Sequence, residues 1–88
     1  MEKQYKLEII TPQEVVFSGD VVSAVAPGEL GYLGILANHA PLVTTLLVGK
    51  FTLRKPDEKT VSYKTQAGFL EVLENRAVAL VDGAELIG

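Results

Sequence analysis

Glycines spaced three apart and a lone histidine are the residues of this sequence whose types and spacing invite a chemical reading. Gly28, Gly31 and Gly34 lie in the run Pro-Gly-Glu-Leu-Gly-Tyr-Leu-Gly-Ile-Leu-Ala-Asn-His-Ala-Pro, from Pro27 to Pro41. A Walker phosphate loop ends in Gly-Lys-Ser/Thr and feeds a helix, and neither feature follows here. A dinucleotide fingerprint needs Gly-x-Gly-x-x-Gly opening a helix, whereas this spacing is Gly-x-x-Gly-x-x-Gly. The glycines are therefore read as positions in a bent loop that needs positive φ or close backbone approach. Leu30, Tyr32 and Leu33 remain, and apolar residues in such a loop point to a surface kept for a partner.

His39 is the sole histidine, and the chain has no cysteine. Acid–base or nucleophilic work would need a second group beside it, and a metal would need further ligands. Thr44 and Thr45 are the nearest hydroxyls in sequence. His39 is read as a turn residue whose ring bonds the backbone. Glu71 and Glu74 lie three apart, which puts them on opposite faces of a strand. Asp57 and Glu58 are adjacent in a charged hairpin tip and are read as solvated charge. The expectation is no catalytic residue, no cofactor and no metal.

The elements that would carry these residues read as short strands. Tyr5, Leu7 and Ile9 alternate with Lys6 and Glu8, the period of a half-buried strand. Thr11-Pro12 ends that run. Val15-Val16-Phe17 follows, and Ser18-Gly19-Asp20 has turn chemistry. Val21 to Ala26 is a largely β-branched run closed by Pro27-Gly28. Phe51 and Leu53 alternate with Thr52 and Arg54, then Lys55 to Lys59 forms a hairpin tip before Val61, Tyr63 and Thr65. That hairpin is expected to keep one side in water. Phe69 to Leu86 also fits a helical stripe, but Glu74-Asn75 offers a tight turn between two alternating runs. Two strands and a short terminal one are favoured. Eight to ten strands in one domain spanning residues 1–88 imply an all-β fold of two packed sheets.

Bulk properties narrow the function. The 88 residues are 48% hydrophobic and 22% charged, which is globular rather than disordered. The net charge of −3 comes without a basic stripe, so the footprint for nucleic acid or an anionic membrane surface is missing. Apolar runs such as Val43 to Val48 fall far short of the roughly 20 residues of a membrane span. The first residues, Met-Glu-Lys-Gln, lack the apolar stretch of a signal peptide, and a cytosol-side protein is expected.

Phe17-Ser18-Gly19, Gly28 through Gly34-Ile35-Leu36, and His39-Ala40-Pro41-Leu42 together carry a resemblance, joined later by Ala67 to Val72 and Ala77 to Asp82. In that order they resemble the epsilon subunit of the F-type proton-translocating ATP synthase, over essentially the whole chain. The resemblance implies a ten-stranded β-sandwich at the foot of the rotor stalk. It binds the gamma subunit and the ring of c subunits, meets the catalytic head through gamma, and couples proton flow to ATP synthesis without a catalytic site. The loop Glu29, Leu30, Gly31, Tyr32 and Leu33 matches the segment that approaches the c ring. Asn38, His39, Ala40 and Pro41 match a segment near gamma, with Thr11 and Thr44 placed there as well. Ala37-Asn38 stands where many relatives carry Pro-Gly, and Asn tolerates left-handed backbone. Tyr32 stands at a position more often acidic. The implied location is peripheral, on the cytoplasmic face of the bacterial inner membrane or its organellar equivalent. Family members usually continue into two helices that can block rotation; with the chain ending at Gly88, coupling without that inhibition is expected.

Two other classes compete. A sugar-type binding sandwich would present an aromatic platform beside hydrogen-bonding groups. The chain has no tryptophan, and core packing accounts for Tyr5 and Tyr63. A hydrolase built on His39 lacks partner groups.

Overall fold

Alternation decides the strands. In β1 (Tyr5–Ile10) Tyr5, Leu7 and Ile9 are buried and Lys6 is exposed. The computed structural model describes residues 3–88, and among them the chain runs through nine further strands. These are β2 (Val15–Val21), β3 (Ser23–Gly28), β4 (Gly31–Leu36), β5 (Leu42–Leu46), β6 (Gly49–Arg54), β7 (Thr60–Thr65), β8 (Gly68–Leu73), β9 (Arg76–Val81) and β10 (Ala84–Leu86). No helix among the described residues is long and apolar enough to cross a membrane.

The strands follow one hydrogen-bonded path, β10-β7-β6-β3-β5-β8-β9-β1-β2, with β4 on the remaining side of β3. β3 is where the path changes layer. Its first half pairs with β6 through Ser23 to Val25, and its last residue, Gly28, pairs with Leu46 of β5. One layer is thus β10-β7-β6-β3-β4 and the other β5-β8-β9-β1-β2. Leu7, Ile9, Leu46 and Leu70 from one layer meet Ile35, Phe51 and Leu53 from the other in one buried cluster, which makes the pair a β-sandwich. All strand pairs are antiparallel except β1 with β9. On that parallel pair Arg76 Nη2 meets Glu8 Oε1 at 2.8 Å. The hydrogen bond from Arg76 holds the Glu8 carboxyl below its ordinary pKa.

Between the strand and helix readings of the last third, the turn decides. Glu74 and Asn75 have φ of 51° and 60°, the paired positive values of a tight hairpin turn, so the chain folds back there into β9. Two turn expectations do not hold. Ser18-Gly19-Asp20 continues β2, because β1 offers each of them a ladder partner that outweighs local turn preference. The chain bends instead at Val22 and passes from β2 in one layer into β3 in the other, and Val22 N–H donates to Arg54 O at 2.8 Å. Pro27-Gly28 likewise lies inside β3. Proline lacks a donor, but its carbonyl accepts from Leu47 N at 2.8 Å, so the ladder survives it.

The β6–β7 hairpin is also less wet than alternation implies. Ser62 faces away from the core residue Tyr63 yet is buried. Its hydroxyl lies 3.2 Å from Thr52 Oγ1, and its backbone exchanges hydrogen bonds with Ile87 and Gly88.

Candidate functional site

The glycine-rich run is a hairpin, with its turn at Glu29 and Leu30. Two backbone bonds fasten it to β5 and to the residue after it: Glu29 N donates to Thr45 O at 3.1 Å, and Leu47 N to Pro27 O at 2.8 Å. A two-residue tip clamped in this way holds its side chains outward, and Leu30 is fully exposed. Gly31, Tyr32 and Leu33 belong to β4. Tyr32 is exposed and its hydroxyl accepts from Lys50 N at 3.5 Å, whereas Leu33 packs against the core.

The bent-loop reading of the three glycines therefore holds at two positions: at Gly28 a Cβ would stand 2.9 Å from the Gly31 carbonyl oxygen, a close backbone approach, and Gly31 takes a positive φ. Gly31 has φ of +125°, a conformation that side chains resist. Gly34 has no such φ and open space where a Cβ would stand, because it lies mid-strand opposite Val25. Gly31→Ala is expected to cost about 1 kcal/mol. Gly34→Ala should stay within about 0.5 kcal/mol of the parent. Urea midpoints of the two variants check this, and equal midpoints would contradict it.

At the opposite end of β4 the chain turns through Ala37 and Asn38 into Pro41. Asn38 takes φ of 63°, as expected for asparagine in a glycine-like position. His39 N donates to Leu36 O at 3.2 Å. Its ring Nδ1 lies 2.7 Å from Ala40 O, so that nitrogen carries the proton and donates. This is the backbone bond expected of a turn histidine. Ala40 and Pro41 are exposed.

Thr44 stands a few residues on, half-buried in β5 opposite Leu70. Thr11 is not with this group. It follows β1 at the end of the sandwich where β8 begins, and it is occupied locally: its Oγ1 accepts from Gln13 N and Glu14 N at 3.3 and 3.2 Å. There it borders an open groove of about 540 Å³ with Ile10, Thr45, Phe69 and Leu80, on the side where the hairpin tip is fastened.

Sequence reasoning missed two features. Phe69 and Leu80 are 60% and 53% exposed, and cross-strand register aligns them with Thr45, Ile10 and Val15 in an apolar row across the outer face of one layer. The signal was phase: both sit out of step with the buried Leu70 and Val72 and with Ala79 and Val81. The second is Asn75, whose side chain reaches Asn38; no local pattern announces that. Among the described residues no cluster of three His, Cys, Asp or Glu side chains could hold a metal ion.

A family described as the ATP synthase, Delta/Epsilon chain, beta-sandwich domain matches residues 4–87. The ATP synthase epsilon chain of Pelotomaculum thermopropionicum is 45% identical over 84 residues, covering 96% of this chain and 62% of its own length. That of Chlorobium limicola is 42% identical over 81 residues, covering 92% of both. The chain thus spans about three-fifths of the first relative and nearly all of the second. A chain in the cryo-EM structure of the Euglena gracilis mitochondrial ATP synthase, OSCP/F1/c-ring in rotational state 1, shares the fold, with a TM-score of 0.89 over 94% of this chain and 53% of its own, at 21% identity. Ten strands in two layers, a clamped hairpin tip and a match over nearly every residue lead to one conclusion: the chain belongs to the family of the ATP synthase delta/epsilon chain β-sandwich domain.

Proposed function

We propose that this chain is a non-catalytic rotor subunit of an F-type ATP synthase, binding the gamma subunit and the c-subunit ring and coupling proton translocation to ATP synthesis. The observation that carries the reading is the family match over residues 4–87. The clamped tip gives it physical sense. Torque passes through contacts that do not slip, and a close-packed sandwich bracing an exposed Leu30 is a stiff contact. In this reading residues 1–88 act as one domain. Glu29 to Leu33 face the c ring, with Leu30 foremost, and Asn38 to Pro41 and Thr44 face gamma. Thr11, whose hydroxyl is engaged in its own turn, contributes shape rather than a side-chain bond. The location is peripheral, at the cytoplasmic face of a bacterial inner membrane or its organellar equivalent.

Calorimetric titration of the folded chain into isolated gamma tests the reading, with one-to-one binding as the expected result. His39→Ala should weaken that binding about fivefold, the scale of one hydrogen bond. No binding by a folded chain, with titrations at two temperatures to exclude a vanishing enthalpy, would remove gamma as the partner.

A further inference from the structure

We infer that Asn75 is the positioning residue for the Asn38–Pro41 segment, a role that rests on reading that segment as the gamma contact. Three stretches far apart in sequence meet at its side chain. Asn75 Oδ1 accepts from Asn38 N at 2.7 Å, and Asn75 Nδ2 donates to Gln4 O at 3.0 Å. The amide has one possible orientation here. A backbone N–H must meet its oxygen and a backbone carbonyl must meet its nitrogen, so both ends are used at once.

The residue type answers two demands together. At φ of 60° in the β8–β9 turn the backbone favours Asn or Gly. Glycine would satisfy the turn and lose both bonds. Aspartate tolerates the turn and keeps the acceptor for Asn38 N–H but has no donor for Gln4 O.

What the amide holds is the exposed middle of a segment whose flanks are seated, Ala37 against the core and Leu42, in β5, opposite Val72. Asn38 is exposed and itself at positive φ, and the bond from His39 N to Leu36 O closes the turn only upon its own strand. The bond from Asn75 ties this turn to the β8–β9 turn, and the bond to Gln4 ties both to the start of β1. Asn75 therefore adds a cross-link in the middle of a turn whose two ends run into β4 of one layer and β5 of the other. A contact segment ordered before binding does not lose that freedom on binding.

The experiment compares Asn75→Gly and Asn75→Asp with the parent. Solvent exchange of the Asn38 amide is read by NMR, thermal midpoint by calorimetry, and affinity for isolated gamma by titration. Asn75→Gly should speed Asn38 exchange and weaken gamma binding, each about 5- to 10-fold, the scale of one hydrogen bond. The thermal midpoint should fall by several degrees, the scale of the lost bonds, and the domain should still fold cooperatively because glycine suits the turn. Asn75→Asp should keep Asn38 exchange near the parent rate. Unchanged Asn38 exchange in Asn75→Gly overturns the latch. Faster exchange with undiminished gamma affinity overturns the positioning role. If the parent chain itself fails to bind gamma, the stalk reading falls, while the exchange rates still decide whether Asn75 holds Asn38.

Discussion

Gly68→Ala is expected to destabilise the fold by about 3 kcal/mol, the upper range for forcing extra atoms into a packed site. Gly68 opens β8, opposite Leu46 of β5 on one side and Val81 of β9 on the other. A Cβ there would run into the carbonyl oxygen of Leu80 and stand 2.7 Å from Val81 Cα. Those are backbone atoms inside a sheet, so they cannot swing aside as a side chain can. The contrast lies at Gly83, where the nearest atom is the Cγ of Gln66 at 3.3 Å, part of a flexible side chain. The damage should also reach the outer face, because Phe69 is the next residue and Leu80 is the one displaced. Urea unfolding of Gly68→Ala checks the first effect. A midpoint equal to the parent's would mean that β8 and β9 are not as close here as described.

Tyr5→Phe comes second, at about 2 kcal/mol near neutral pH, within the range for leaving a buried polar partner unsatisfied. Tyr5 sits in β1 and donates through its hydroxyl to Ile35 O of β4 at 2.8 Å, a buried bond from one layer to the other. Phenylalanine keeps the ring's packing and removes only that brace. The loss should depend on pH. Burial pushes the Tyr5 hydroxyl well above the ordinary tyrosine pKa of 10, and Tyr63 shifts in the same direction for the same reason. A pKa raised in the folded state contributes stability that is complete below the unfolded value of about 10 and declines as pH rises from there toward the folded value. The parent should therefore lose stability above about pH 10. Tyr5→Phe lacks one of the two groups responsible, so the gap in thermal midpoint between parent and variant should narrow from pH 8 to pH 11. A gap that widened with pH would contradict the buried, protonated assignment of Tyr5.

Much of the architecture was legible because strand signals are local. Tyr5, Leu7 and Ile9 alternate with polar neighbours, and Phe51 and Leu53 do the same, so each segment states which face it buries. Glu74-Asn75 and Lys55 to Lys59 were readable as turns because the residues there favour or tolerate turn conformations. Ser18-Gly19-Asp20 misled for the complementary reason. Its composition suits a turn, but a partner strand ten or so residues earlier in the chain supplies a ladder, and that outcome is not encoded in the three residues themselves. Pro27-Gly28 misled in the same way, and the reversal moved on to Glu29 and Leu30.

The contact residues divide along the same line. That His39 would bond its own backbone, and that Asn38 would take a left-handed conformation, are local properties and could be anticipated. That Thr11 lies away from Asn38 to Pro41, beside the groove bordered by Phe69 and Leu80, follows from which strands neighbour which.

By itself, then, the sequence determined that this chain forms short strands in an all-β domain, that its glycine-rich run keeps apolar residues among Leu30, Tyr32 and Leu33 for a surface, and that it resembles a rotor subunit rather than an enzyme. Only the tertiary structure decided that Gly68 has no room for a side chain, which tyrosine braces the layers, and that Asn75 fastens a turn 37 residues away. The physical reason is range. Alternation and turn preference act over a few residues, whereas a steric limit or a hydrogen bond depends on which distant backbone the folded sheets bring alongside.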